Sequence, residues 1–291
     1  VTSESLVWQV GEISVHSFVE ILDAGEVIQE VIPDATADNI KAIPWLQPDF
    51  ADADGKLKAV VQSFGIKTPS VRIIVDTCVG DRRDRPDLPA WQNLQTDFLT
   101  KLEKSGFGRE DVDVVLCTHL HFDHVGWNTM EVNGKFVPTF PRARYLFARQ
   151  EFEYWKTRPS NEVESDHNGF VDSVMPVVDA GLVELVESDH CISEGVFLLP
   201  TPGHTPSHVS VWIESQGKRA VVTGDVMHHP CQIARPDWST LADTSQEMAR
   251  NTRREILERF ADSEVLIIGS HFSSPTVGHI RRDGDSYMFK V

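Results

Sequence analysis

Cysteine, basic residues and long apolar runs are all scarce in this chain, and each scarcity removes a class of protein. Only four cysteines occur in 291 residues. Cys78, Cys117, Cys191 and Cys231 form no CxxC pair, which reads as reduced, partly buried thiols and not as a disulfide framework. Lys and Arg number 27 against 44 Asp and Glu, a formal charge of −17. So acidic a surface repels polyanions and argues against nucleic acid or an anionic membrane as partner. Neutral or cationic small molecules suit it better. No apolar run approaches the roughly 20 residues that span a bilayer, and the opening VTSESLVWQVGEIS lacks the basic and apolar regions of a signal peptide. A cytoplasmic location is expected, with a leader removed ahead of Val1 left open. Repeats, low-complexity tracts and interdomain linkers are missing too, so residues 1–291 are expected to form a single domain.

What is present is an alternation of strand and helix signals. Strands are expected around SLVWQVGEISVHSFVEIL, VRIIVD, DVDVVLCTHL, RYLFAR, GVFLLP, HVSVWIES, RAVVTGDV and EVLIIGSHF. The NG pair in NTMEVNGKFVPTF, flanked by apolar residues, marks a hairpin. Helices are expected over WQNLQTDFLTKLEKSG, where Leu94, Phe98, Leu99 and Leu102 recur at helical spacing and Gly106 caps the end, over QEFEYWK, and over LADTSQEMARNTRREILERFAD. The Pro- and Asp-rich segment 31–56 reads as a long loop with one helical turn. These elements do not form a regular doubly wound series; they suggest an α/β protein whose sheets are covered by helices on their outer faces.

The chemistry concentrates in CTHLHFDHVGW, where His119, His121, Asp123 and His124 fall within six residues directly after a buried strand. Four polar side chains in such a place are costly without partners. In an extended or turning segment His119 and His121 point to one side while Asp123 and His124 turn to a neighbouring point, so one loop can serve two metal ions. Imidazole nitrogen and carboxylate oxygen suit zinc, iron or manganese, and the lack of cysteine argues against a closed structural site. Three more donors end predicted strands: His204 in TPGHTPSH, Asp225 in VVTGDV and His271 in IIGSHF. Singly, each has an ordinary structural explanation as a loop cap, a turn residue or a satisfied core histidine. Together they belong where ligands of α/β proteins gather, at the carboxyl ends of strands. His208 and His228, close by in sequence, are candidates for orienting the ligands from outside.

The combination resembles the metallo-β-lactamase superfamily, whose HxHxDH hallmark stands here as His119-Leu-His121-Phe-Asp123-His124. The resemblance implies a four-layer αβ/βα sandwich and two divalent ions, zinc first, with iron, manganese or cobalt as alternatives. It assigns His119, His121 and His204 to one ion, Asp123, His124 and His271 to the other, and Asp225 to both. Asp76, ending VRIIVD, matches the family's outer-shell aspartate. Asp225 as a ligand separates the chain from true β-lactamases and places it with lactonases, thioesterases and methyl parathion hydrolase-like enzymes. The acyl homoserine lactonases also use a tyrosine between the positions matching His204 and Asp225; this chain has none there.

The function so implied is hydrolysis of a lactone or small carboxylic ester by hydroxide shared between the two ions, with Asp123 and Asp225 as catalytic carboxylates. Organophosphate triester hydrolysis is the alternative, followed by a β-lactamase-type hydrolase, an iron-dependent oxidative member and a non-catalytic metal-binding protein. Trp45, Trp127, Phe140, Phe152 and Trp155 are candidate pocket aromatics, drawn from segment 31–56 and region 127–175. The expected partner is a small-molecule ester or lactone, and the resemblance suggests a homodimer.

Overall fold

A computed structural model describes residues 6–158 and 163–291. They fall into two compact units: the first runs to Glu20 and resumes over Val61–Glu187, the second takes Ile21–Val60 and Ser188–Val291. Among the described residues no helix is long and apolar enough to cross a membrane.

In the first unit the strands are β1 (Val7–Val10), β2 (Ile13–Ile21), β3 (Val61–Lys67), β4 (Arg72–Val75), β5 (Val114–Leu116), β6 (Thr129–Val132), β7 (Lys135–Pro138), β8 (Arg144–Ala148) and β9 (Val183–Val186). Seven form one sheet in the order β1-β2-β3-β4-β5-β8-β9. Its β4, β5, β8 and β9 run parallel. The VVL of β5 is buried throughout, as a strand covered on both faces must be. The NG hairpin signal is realised in β6 and β7, with Asn133 and Gly134 both at positive φ (53° and 76°), the twist that a two-residue connection needs.

The second unit holds β10 (Cys191–Ser193), β11 (Val196–Pro200), β12 (Val209–Ser215), β13 (Lys218–Val222), β14 (Leu266–Ile268), β15 (Val277–Asp283) and β16 (Ser286–Lys290), paired in that order. Because β11 is antiparallel to β12, β12 antiparallel to β13, and β13 parallel to β14, the strands β11, β13 and β14 point the same way. Their carboxyl ends therefore share one edge. The helix Gln246–Phe260 buries Ala249, Arg253, Ile256, Leu257 and Phe260, one face at helical spacing, and the Ser245 side chain caps its start by accepting from Met248 N.

One expected helix is shorter than its sequence signal. The helix expected from Trp91 onward is confined to Phe98–Lys104. Thr96 is held elsewhere, its N–H donating to Asp81 Oδ1 and its hydroxyl to Glu20 Oε1, and this competes with the helical ladder. Segment 31–56 carries the helix Ala37–Lys41 and a 3₁₀ turn, Pro44–Leu46, and packs into the second unit. There Phe50 meets Phe289 and Phe272 at centroid distances of 5.7 and 6.4 Å, and its carbonyl accepts from His229 Nε2 at 2.8 Å. Strands β3, β9, β10, β15 and β16 were not evident in the sequence.

The first unit also buries a cation pair. Arg85 grips Asp172 through both guanidinium nitrogens at 2.8 and 3.1 Å, while Arg83 Nη1 stands 3.9 Å from the same carboxylate. Both arginine side chains are wholly buried. Burial pushes Arg83 down to about 10 although Asp172 opposes the shift. Its Nη2 donates to the carbonyls of Gly126 and Thr129, so the pair braces the turn that follows the HxHxDH motif. Removing the shared carboxylate leaves two buried cations uncompensated. Asp172→Ala is expected to cost about 3–5 kcal/mol in urea unfolding; a loss below about 1 kcal/mol would show the pair to be hydrated.

Candidate metal centre

In the first unit β4 and β5 are parallel neighbours, so Asp76 and the histidine loop emerge side by side at their carboxyl ends. Asp76 takes φ 58°, a left-handed backbone that Asp tolerates better than most residues. Its Oδ1 accepts from Thr118 N at 2.7 Å, and its Oδ2 faces Thr118 Oγ1 and His124 Nδ1, each at 2.9 Å. Thr118 Oγ1 in turn meets His119 Nδ1 at 3.1 Å. One buried carboxylate thus fixes two imidazoles, directly and through a hydroxyl. The opposite nitrogen of His119, Nε2, lies 2.9 Å from His121 Nδ1. Two imidazole nitrogens meeting at that distance either share a proton or present lone pairs to one acceptor. Asp123 is the least buried of the four, and its Oδ2 stands 3.7 Å from His124 Nε2. Gly126 lets the loop close: a Cβ there would meet Val79 O at 1.9 Å.

In the second unit the shared edge of β11, β13 and β14 delivers His204, Asp225 and His271. All three are at most 3% exposed. His204 Nδ1 lies 3.0 Å from Asp243 Oδ1, and His271 Nδ1 lies 2.9 Å from Val60 O. His208 holds the backbone of the bridging candidate, accepting from Asp225 N at its Nε2 (2.9 Å) while its Nδ1 meets Thr201. Both its nitrogens are engaged, so His208 acts on the position of Asp225. The inward contacts are longer: Asp225 Oδ1 to His271 Nε2 is 3.3 Å, and Asp225 Oδ2 is 3.5 Å from His204 Nε2 and 3.2 Å from His228 Nε2. Charge-assisted hydrogen bonds run about 2.7–2.9 Å. Two donors on one tetrahedral ion at about 2.1 Å stand roughly 3.4 Å apart. In this unit the outward nitrogens therefore sit at hydrogen-bonding distance and the inward ones at the spacing of co-ligands. The donor set fits a divalent ion of the zinc kind.

Asp243 escaped the sequence reading. Burial pushes its carboxyl up, and the hydrogen bond and charge of His204 outweigh that to hold it down at about 2. Its Oδ2 is also 3.9 Å from Arg253 Nη2, with both side chains fully buried. The TLADTS stretch that carries it reads only as helix-capping sequence, and nothing local ties it to a histidine 39 residues earlier.

The aromatic candidates separate. Trp127 is a core residue and not a pocket wall: 4% exposed, it stacks on Phe98 at 5.6 Å and donates its indole N–H to Glu20. Phe140 is wholly buried in the same unit. Trp45 is half-buried in the second unit, lining a cavity of about 90 Å³ with Arg235, Asp283 and Tyr287. Trp155 stands edge-on to His121 at 5.3 Å and borders a small cleft with Arg158, Asp166 and Phe170; Phe152 packs against Phe170. Part of region 127–175, residues 159–162, lies outside the described residues.

Histidine and aspartate donors at the carboxyl ends of strands in two mixed sheets define a candidate metal-binding α/β protein. Residues 60–271 match the model of the metallo-beta-lactamase superfamily, and the chain belongs to that family. An N-acyl homoserine lactonase of Bacillus sp is 32% identical over 115 residues, covering 40% of this chain and 38% of the relative. One of Bacillus cereus is 31% identical over 119 residues, 41% of this chain and 40% of its own. The chain thus spans about two fifths of the length of these curated relatives. Among solved structures, the dizinc quorum-quenching lactonase AidC aligns with a TM-score of 0.79 at 20% identity, over 99% of this chain and 97% of its own. The hydrolase AbOPH aligns at 0.80 and 22% identity, over 100% and 98%. These likenesses establish the metallo-β-lactamase fold.

Replacing the Asp243 carboxylate by an amide keeps its shape and removes its charge. Asp243→Asn is expected to weaken divalent-metal retention by about 10–100-fold in competition with a chromophoric chelator. Unchanged retention would reduce Asp243 to a packing residue.

Proposed function

We propose that the chain is a dinuclear metal-dependent hydrolase that opens a lactone or cleaves a small carboxylic ester. The observation that carries this reading is Asp225, a buried carboxylate whose Oδ1 faces His271 and whose Oδ2 faces His204. That is the disposition a carboxylate shared by two ions requires. Family membership supports the rest of the assignment: His119, His121 and His204 for one ion, Asp123, His124 and His271 for the other. Nitrogen and oxygen donors suit zinc, with iron, manganese and cobalt as chemically allowed substitutes.

Bound in such a set, two divalent ions supply a water acidified to near neutrality and a Lewis acid for the substrate carbonyl. The chain's own groups do the rest. Asp76 and Asp243 hold His124 and His204 in one tautomer and one orientation. Asp123, the most accessible donor, orients the attacking water and carries its proton to the leaving oxygen. In a lactone that oxygen stays tethered, so the proton must arrive before the ring recloses. Trp155, edge-on to His121, offers an apolar wall for the acyl part of the substrate. The lactonase relatives and the acidic surface both favour a neutral carbonyl substrate over a polyanion.

The test is a panel of γ-lactones, an aryl ester, a methyl parathion-type phosphotriester and a β-lactam, assayed on protein of measured metal content. About two divalent ions per chain are expected, with lactone or ester turnover that vanishes on chelation and returns with zinc. Asp225→Ala should lose both the turnover and bound metal. A metal-replete chain that hydrolyses nothing in the panel overturns the reading, and preferential phosphotriester turnover moves it to the organophosphate class.

A further inference from the structure

His228 is a buried imidazole of the second unit to which the family's ligand set gives no task. It is 3% exposed. Its Nε2 stands 3.2 Å from Asp225 Oδ2, the oxygen that also faces His204. Its ring lies 4.7 Å from that of His204, steeply tilted, and parallel to that of His271 at 5.9 Å. One donor atom each from His204, Asp225 and His228 lies within 4.8 Å of the others. The backbone beneath is anchored, since His228 N donates to Gln232 Oε1 at 2.7 Å and Gln232 Nε2 donates to Trp238 O at 2.9 Å.

His208 spends both ring nitrogens on Asp225 N and Thr201, so no lone pair remains for a metal. His228 has no hydrogen-bond partner for Nδ1 among the described residues, and its Nε2 points into the donor group at co-ligand spacing, longer than a charge-assisted hydrogen bond. Its ring is thus placed from the cluster side, unlike that of His204, whose Nδ1 is held by Asp243.

We propose that His228 is a metal ligand in its own right, completing with His204 and Asp225 a three-donor set carried by the second unit. This rests on the metal-centre reading above. It gives the ion of His204 one more protein donor than the family pattern provides, and makes that ion the more tightly held of the two.

The discriminating variant is His228→Gln, whose amide N–H can still donate to Asp225 but which is a poor metal ligand. Zinc competition against a chromophoric chelator and the absorption spectrum of the cobalt-loaded chain are read on the full-length protein. The variant is expected to lose more than about tenfold in affinity for one ion and to shift the cobalt bands, while the second ion and the circular dichroism stay as in the parent. Affinity and spectrum identical to the parent overturn the proposal alone. A parent chain that retains no metal overturns the proposal and the metal-centre reading together. Imidazole ¹⁵N shifts of the parent answer without any variant: His228 Nε2 moves to a coordinated position on zinc addition if the proposal holds, and keeps its metal-free shift if it fails.

Discussion

The site depends on imidazoles gripped from behind. A buried histidine ring has little intrinsic preference about its last torsion, and a ring free to turn presents an N–H or a lone pair to the interior at random. Here Asp76, Thr118, Asp243 and the Val60 carbonyl each take one Nδ1, which leaves Nε2 facing inward. Removing water and charge from solvent to build such a shell is expensive, and the outer hydrogen bonds are what offset that cost.

Strand direction does the gathering. Parallel β4 and β5 open side by side, and β11, β13 and β14 end on one edge, so residues far apart in sequence converge without any long loop having to find them. The loop behind the motif is then immobilised by groups with no part in the chemistry. Glu20 accepts from Val79, Gly80 and Trp127, burial raising its own carboxyl, while Arg83 holds the carbonyls of Gly126 and Thr129. A rigid support of this kind is what metal ligands need if their geometry is to survive loss of the ion.

Much of this could be read from the chain alone, and the reasons it could are local. HxHxDH declares itself because its four donors fall within six residues, and His204, Asp225 and His271 declare themselves because each ends an apolar run. Asp243 and Arg253 could not be found this way: their partners are tertiary, and an aspartate in a capping stretch looks the same whether or not a histidine lies behind it. Trp127 and Phe140 misled for a related reason. An aromatic beside a reactive motif has one appearance in sequence and two fates, and the indole N–H of Trp127 found a buried carboxylate 107 residues away. Segment 31–56 looked like a loop because proline and aspartate are dense in it, whereas its apolar residues find their partners near the other end of the chain.

The tie between segment 31–56 and the far end of the chain shapes how the protein is made. Phe50 packs on Phe272 and Phe289, and its carbonyl is held by His229. At ribosomal speeds of about 5–20 residues per second, the stretch around Phe50 waits roughly 10–50 s for those partners to be synthesised. Meanwhile the whole first unit beyond Val61 emerges, and its sheet can pair while the second still lacks most of its strands. The second unit is thus a non-contiguous body whose opening segment spends its early life with apolar side chains uncovered. Its assembly is governed by the closure of a loop more than two hundred residues long, and so by chain topology more than by local propensity.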